Sequence, residues 1–158
     1  MKPKTPENSK TIQTDIVLPA DTNSLDNLFG GELLARMDKV ASIAAIKHSE
    51  QIVVTASINN VAFGEPVPNG SILTIEAKVS RAFNTSMEVF IDVWKQNKTH
   101  KKRVKVNEAI YTFVAVSKSG KTVKVPPLVP ETELEKKRFD AALRRRQLSL
   151  VLAGKMKA

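Results

Sequence analysis

Any cofactor-free chemistry in this sequence must rest on carboxylates, amides and hydroxyls. It contains no cysteine, and its two histidines, His48 and His100, lie too far apart to suggest a metal cluster. Asp38 is the carboxylate whose setting is informative. Leu33, Leu34, Met37, Val40, Ala41, Ala44 and Ala45 recur at helical spacing around it, so one face of a helix ending near His48 is apolar. Asp38 adjoins that face and should be partly buried, where desolvation raises a carboxylate's pKa and makes it a better base. Taken alone, it reads more readily as a solvated carboxylate on an amphipathic helix.

Gly30-Gly31 opens the same helix. The pair reads as a loop-to-helix hinge. It reads equally as a side-chain-free start at which an electrophilic carbonyl can approach backbone N–H groups at the positive end of the helix dipole. Gly30 and Asp38 are eight residues apart, about 12 Å along one helix at 1.5 Å per residue. A base must stand within about 3 Å of the water it activates. A single helix therefore cannot supply both the polarising amides and the base, but two antiparallel helices related by a twofold axis can.

The elements that must position these groups follow from periodicity. Residues 11–18 read as a strand closed by Pro19 and the polar turn Asp21-Thr22-Asn23-Ser24, in which Asn23 is by default a turn residue. After the helix, residues 52–58 read as a strand continuing irregularly through Val61 and Phe63, and Pro66, Pro68 and Asn69-Gly70 make a turn. Leu73, Ile75, Ala77 and Val79 alternate with polar residues, as do Met87, Val89, Ile91 and Val93. Residues 104–116 are apolar on both faces near their end, as a covered strand requires. Residues 131–152 have helical composition behind Pro126-Pro127 and Pro130. The order predicts an α+β fold in which an antiparallel sheet wraps around one long helix. Three segments are expected: a disordered arm over residues 1–10, a domain over 11–127 and a basic helical tail over 128–158. A sheet of this kind leaves an edge strand unpaired, and pairing with a second copy removes it.

Composition limits the partners. The net charge of +9 favours an anionic partner but does not choose its class. Residues 95–105 hold six basic and no acidic residues, and residues 130–158 hold eight basic against four acidic. These runs read as a solvated hairpin tip and a soluble helix, or as a ligand-binding surface. One Trp and one Tyr make no aromatic platform for bases, so nucleic acid is not expected as a partner. No apolar run approaches the 18 to 20 residues of a membrane span and the first ten residues are not signal-like, so a cytoplasmic location and no membrane partner are expected.

Several short motifs in fixed order carry a resemblance. Leu18-Pro19-Ala20-Asp21-Thr22-Asn23, Phe29-Gly30-Gly31 and Met37-Asp38 resemble the active-site signature of the broad-specificity acyl-CoA thioester hydrolases, the brain-type cytosolic enzymes and their single-domain bacterial relatives. Phe63-Gly64-Glu65-Pro66-Val67, Asn84-Thr85-Ser86-Met87-Glu88-Val89 and residues 109–116 followed by Gly120-Lys121 agree with it. The likeness runs from about residue 11 to 127, with Lys39 as a more basic residue than relatives often carry.

The resemblance implies a hotdog fold, hydrolysis of acyl-CoA to free acid and CoA, no cofactor beyond the CoA of the substrate, and a site built from two protomers in a dimer or a trimer of dimers. Asp38 then resembles the essential acid, activating water or attacking the carbonyl itself, and Asn23 the amide of the facing protomer. For CoA, Asn84, Thr85 and Ser86 at a strand turn could bind pantetheine or phosphates. Arg138, Arg144 and Arg145 could reach the nucleotide phosphates. Two other readings remain. A hotdog domain could bind acyl-CoA as a sensor or scaffold, though a pure binder has no reason to keep the Asn23/Asp38 pair. A hotdog dehydratase would use an Asp/His pair, but His48 lies outside the motif.

Overall fold

A computed structural model describes residues 1–59, 65–97, 99 and 102–154. Five strands form one antiparallel sheet: β1 (Thr11–Ile16), β2 (Ile52–Asn59), β3 (Ile72–Ala82), β4 (Ser86–Gln96) and β5 (Val104–Val116), in the order β1-β3-β4-β5-β2. A helical turn α1 (Pro6–Ser9) precedes the sheet, α2 (Gly30–Ser49) lies between β1 and β2, and α3 (Glu133–Leu152) follows β5. This is the expected α+β architecture. The irregular continuation through Val61 and Phe63 lies outside the described residues.

The alternation read in the sequence decides which face meets α2. Leu73, Ile75, Ala77 and Val79 of β3 and Met87, Val89, Ile91 and Val93 of β4 are buried, as are Ala109, Tyr111, Phe113 and Ala115 of β5. Register pairs like with like: Val89 stands opposite Tyr111 and Met87 opposite Phe113. Against this face α2 packs Met37, Val40, Ala41, Ala44 and Ala45, all fully buried. Small residues along the second half of the stripe let the helix seat closely on the sheet, and burial of the shared apolar area is its main stabilisation.

The opposite face of β3 and β4 carries charge, and α3 is held there by paired ions. Arg138 forks onto Asp92 with two contacts of 3.0 Å, and Arg145 onto Glu88 at 3.0 and 2.7 Å. Lys78 meets Glu135 at 3.2 Å. Glu135 also closes a capping box, accepting the Thr132 N–H while the Thr132 hydroxyl accepts the Glu135 N–H. Burial pushes the Glu135 carboxyl up, but the N–H groups of Thr132 and Glu131, both donating to it, and Lys78 outweigh burial and hold its pKa below the ordinary value. Part of the basic run at 95–105 is engaged in the same way. Lys95 donates to Glu65 and the Pro66 carbonyl, Lys105 to Asp92 and Glu108, and Arg103 lies 3.9 Å over the Trp94 ring.

The N-terminal residues depart from expectation. The arm read as disordered is packed against the domain, because it completes unfinished hydrogen bonding. Beyond the β1–β3 ladder, the Val79 N–H donates to the Ser9 hydroxyl at 2.8 Å. Lys4 donates to the carbonyls of Lys47 and His48 at the C-terminal end of α2, where a cation also suits the helix dipole. Its backbone bridges to Leu128. None of these acceptors can be read from a polar, proline-containing sequence.

His48, fully buried at that end of α2, carries a pH dependence of stability. One ring nitrogen, Nε2, lies 2.7 Å from the Pro126 carbonyl and so donates to it, while Nδ1 is buried without a partner among the described residues. Burial pushes its pKa down, and the nearby Lys4 ammonium acts in the same direction, against the Pro126 contact. The folded chain therefore resists a proton that the unfolded chain accepts near pH 6.5. Stability is unaffected above about pH 6.5 and is lost as pH falls from there to the lowered folded value, with a slope of at most about 1.4 kcal/mol per pH unit. Urea midpoints at pH 7.5 and 5.5 check this: His48→Gln, which stays neutral but can still donate to Pro126, should lose less stability between the two than the wild type. An equal loss in both would assign the effect to other groups.

Candidate active site

Asp38 stands near the middle of α2, half-buried between the fully buried Met37 and the exposed Lys39. Its Oδ1 accepts a hydrogen bond of 2.7 Å from the Thr55 hydroxyl on β2. Thr55 is placed by an irregularity: β2 pairs Thr55 with Phe113 but Ser57 with Thr112, so one extra residue enters β2 at Ala56. Such a bulge re-aims the neighbouring side chains of an edge strand. Tyr111 completes this end. Its hydroxyl donates to the Leu34 carbonyl at 2.9 Å, and burial, with a smaller effect from the Asp38 carboxylate, pushes its pKa up, keeping it neutral. Thr55 escapes a reading of the sequence, because in VVTASIN it is one more polar residue of an exposed strand and a bulge leaves no compositional mark.

Asn23 belongs to the loop before α2. Its Oδ1 accepts the N–H groups of Leu25 at 3.0 Å and Asn27 at 3.2 Å, and its own N–H donates to the Asn27 carbonyl at 2.8 Å. The loop turns through Asp26 in the left-handed region, φ 62°, which Asn and Asp tolerate better than most residues. With the oxygen committed to the loop, the amide Nδ2, which has no partner among the described residues, is the end available to a ligand. Asn23, Gly30, Leu33, Glu65 and Val67 line one cavity of about 230 Å³. Phe29, the residue before α2, makes no side-chain cap. The first-turn N–H groups are thus left without that partner beside Asn23. A Cβ built on Gly31 meets nothing within 4 Å, so packing within the chain does not demand glycine there.

Two separate groupings result. Asn23 and Gly30 line the same cavity, while Asp38 with Thr55 lies eight residues along α2, about 12 Å away by helical rise.

The expected CoA contacts divide differently. Asn84 is exposed and Thr85 half-buried in the turn joining β3 to β4, whereas Ser86 is buried at the start of β4. The turn is fixed by three backbone bonds: Phe83 N–H to the Ser86 carbonyl, Ala115 N–H to that of Thr85, and Val125 N–H to that of Asn84. Arg138 and Arg145, expected as phosphate donors, have their forks closed on Asp92 and Glu88, with Arg138 also 3.7 Å over the Phe90 ring. Those acids sit on the outward face of β4 and reach the tail only on folding. Arg144 is exposed and has no ion pair among the described residues. The same residues contain no cluster of three or more His, Cys, Asp or Glu able to hold a metal.

Comparison with known proteins bears on this arrangement. Residues 25–102 match the model of the thioesterase superfamily. The uncharacterized acyl-CoA thioester hydrolase YkhA of Bacillus subtilis is 39% identical over 87% of this chain and 80% of its own length. An apo-hexameric acyl-CoA thioesterase superimposes with a TM-score of 0.92 at 40% identity, covering 97% of this chain and 98% of the other. An acyl-CoA hydrolase from Staphylococcus aureus, solved with butyryl-CoA and CoA, gives a TM-score of 0.87 at 35% identity, covering 96% and 94%. Alanine variants of that enzyme at one asparagine, one aspartate and one threonine have been solved, the aspartate lying 15 positions after the asparagine and 17 before the threonine. With its sheet wrapped around α2 in the hotdog arrangement and these matches along most of its length, the chain belongs to the acyl-CoA thioester hydrolase family.

Proposed function

We propose that the chain hydrolyses acyl-CoA to free acid and CoA at a site shared between two protomers, with Asp38 as general base. The observation that carries this is the pair of half-sites: a cavity with Asn23 at the uncapped start of α2, and a hydroxyl-oriented carboxylate too far along the same helix to serve it. The spacing of Asn23, Asp38 and Thr55, 15 and 17 positions, equals that of the three residues replaced in the Staphylococcus aureus enzyme. In this reading the thioester carbonyl lies against the Asn23 amide and the first-turn N–H groups of one protomer. Asp38 of the other holds a water through the oxygen that Thr55 does not occupy. The water oxygen bonds to the carbonyl carbon as its proton passes to Asp38, and the N–H donors stabilise the oxyanion. Collapse breaks the carbon–sulfur bond, and the proton returns from Asp38 to the departing CoA sulfur.

The surface for a second copy is supplied by β2 and α2. Strand β2 ends the sheet, and Ile52, Val54 and Ile58 on it and Ile43 and Ile46 on α2 are exposed apolar residues. An exposed apolar edge of this kind invites pairing. The hexamers among the relatives fit further assembly of such dimers into a trimer of dimers. For CoA, the accessible Asn84, Thr85 and Arg144 are the proposed contacts.

Release of free thiol from acyl-CoA of graded chain length tests the activity. Binding of CoA without thiol release would instead favour the non-catalytic binding module. Thr55→Val, which keeps shape but removes the donor to Asp38, should lower kcat roughly ten- to a hundredfold, the range of a hydrogen bond to a charged group. Retention of more than half the wild-type rate would take the orienting role away from Thr55.

A further inference from the structure

We propose that Arg36 is a positioning residue which sets Asn23 against the start of α2; this rests on the role of Asn23 given above. Arg36 lies in the second turn of α2 and reaches back to the loop that carries Asn23. Its Nη2 donates to the Asp21 carboxylate at 2.8 Å and its Nε to Glu32 at 3.1 Å. The contact with Asp21 is largely shielded from water, the two side chains being 14% and 19% exposed.

Asp21 is the hinge point of that loop. Its carboxylate also accepts the Leu18 N–H at 2.9 Å, and its carbonyl accepts the N–H of Phe29, the residue before α2, at 3.0 Å. Two residues on stands Asn23, whose far side is fixed independently: Leu28 N–H donates to the Val67 carbonyl and Asn69 N–H to that of Asp26. The Asp21 side is closed by the Pro19–Asp21 turn and bridged through Thr22 to Leu28, and Arg36 is the side-chain tie between Asp21 and the body of α2. Removing the guanidinium would also leave the carboxylates of Asp21 and Glu32 facing each other without the cation between them, and their repulsion would move the loop away from the helix. Arg36 Nη1, at the same position, is buried without a partner among the described residues.

The sequence conceals this function. Glu32 and Arg36 read as an ordinary i,i+4 helix pair, and Asp21 as a turn residue.

A cycle of variants measured by kcat and KM for acyl-CoA hydrolysis tests the assignment. Arg36→Met should lower kcat by roughly ten- to a hundredfold, the scale of a misplacement of about 1 Å, with KM changed by less than about threefold. Arg36→Lys, which returns a cation between the two carboxylates, should recover part of that loss. In an Asn23→Ala background, with enzyme in excess so that residual single turnovers are visible, Arg36→Met should cause no further loss, because both changes act through one amide. Should Arg36→Met fail to fold, Asp21→Asn tests the same tie from the other end, since the amide can still accept the Leu18 N–H. Losses that multiply in the double variant, or a raised KM with unchanged kcat, would overturn the positioning role. Full activity in Asn23→Ala alone would instead remove the reading of Asn23 on which the assignment depends.

Discussion

Asp38→Asn should cut the turnover of acyl-CoA by about 10²- to 10⁴-fold, the contribution of a positioned general base, while the fold and oligomeric state stay as they are. The substitution is nearly isosteric. The Thr55 hydroxyl, 2.7 Å from Oδ1, can still donate to the carbonyl oxygen of the new amide. What disappears is the ability of the second oxygen to take a proton from water. The side chain is half-buried at the edge of the apolar face rather than within it, so the core residues Met37 and Val40 keep their packing. Thiol release against time, with circular dichroism melts and sedimentation as controls, separates lost chemistry from lost structure. A variant keeping more than about a tenth of wild-type turnover would remove Asp38 from the role. The prediction also separates Asp38 from Thr55. Losing the hydroxyl leaves a base that is present but less well held, so its effect should be the smaller of the two.

The contrast between these residues shows what the sequence could reveal. Helical and alternating periodicities are written directly in residue order, so α2, β3, β4 and β5 could be placed from Leu33 to Ala45, Leu73 to Val79, Met87 to Val93 and Val104 to Val116 with only small errors at their ends. Asp38 was legible because its neighbours along the helix declare its face. Thr55 was not, because its meeting with Asp38 depends on a bulge in a strand 17 residues away. The arginines of α3 were legible as a basic helix, but their partners Glu88 and Asp92 are 57 and 46 residues distant. A count of like charges in the tail therefore could not show that two of its arginines pair with acids of the sheet. Lys4 and Ser9 were missed for the same reason: their acceptor and donor are backbone groups at the end of α2 and in β3, which carry no residue-type signature.

An inactive Asp38→Ala chain mixed with an inactive Asn23→Ala chain should regenerate hydrolysis. Within one protomer the two groupings stand apart: Asn23 shares its cavity with Gly30, while Asp38 and Thr55 lie about 12 Å further along α2. If the site is completed across a twofold axis, a mixed dimer contains one site with both residues intact and one with neither. Random exchange at equal amounts makes about half of the dimers mixed, each with one working site of two. About a quarter of wild-type activity should therefore return if sites act independently. In the proposed dimer the exposed apolar edge of β2 and the isoleucines of α2 would be buried, so subunit exchange must be established with differently tagged chains by mass spectrometry. Brief partial unfolding and joint refolding supplies it where spontaneous exchange is slow. A recovered fraction that follows the proportion of mixed dimers as the input ratio is varied would tie activity to the shared site. Demonstrated exchange with no recovered activity would place both residues at one protomer's site. It would also break the link between the carbonyl-binding end of α2 and a base delivered by the facing helix.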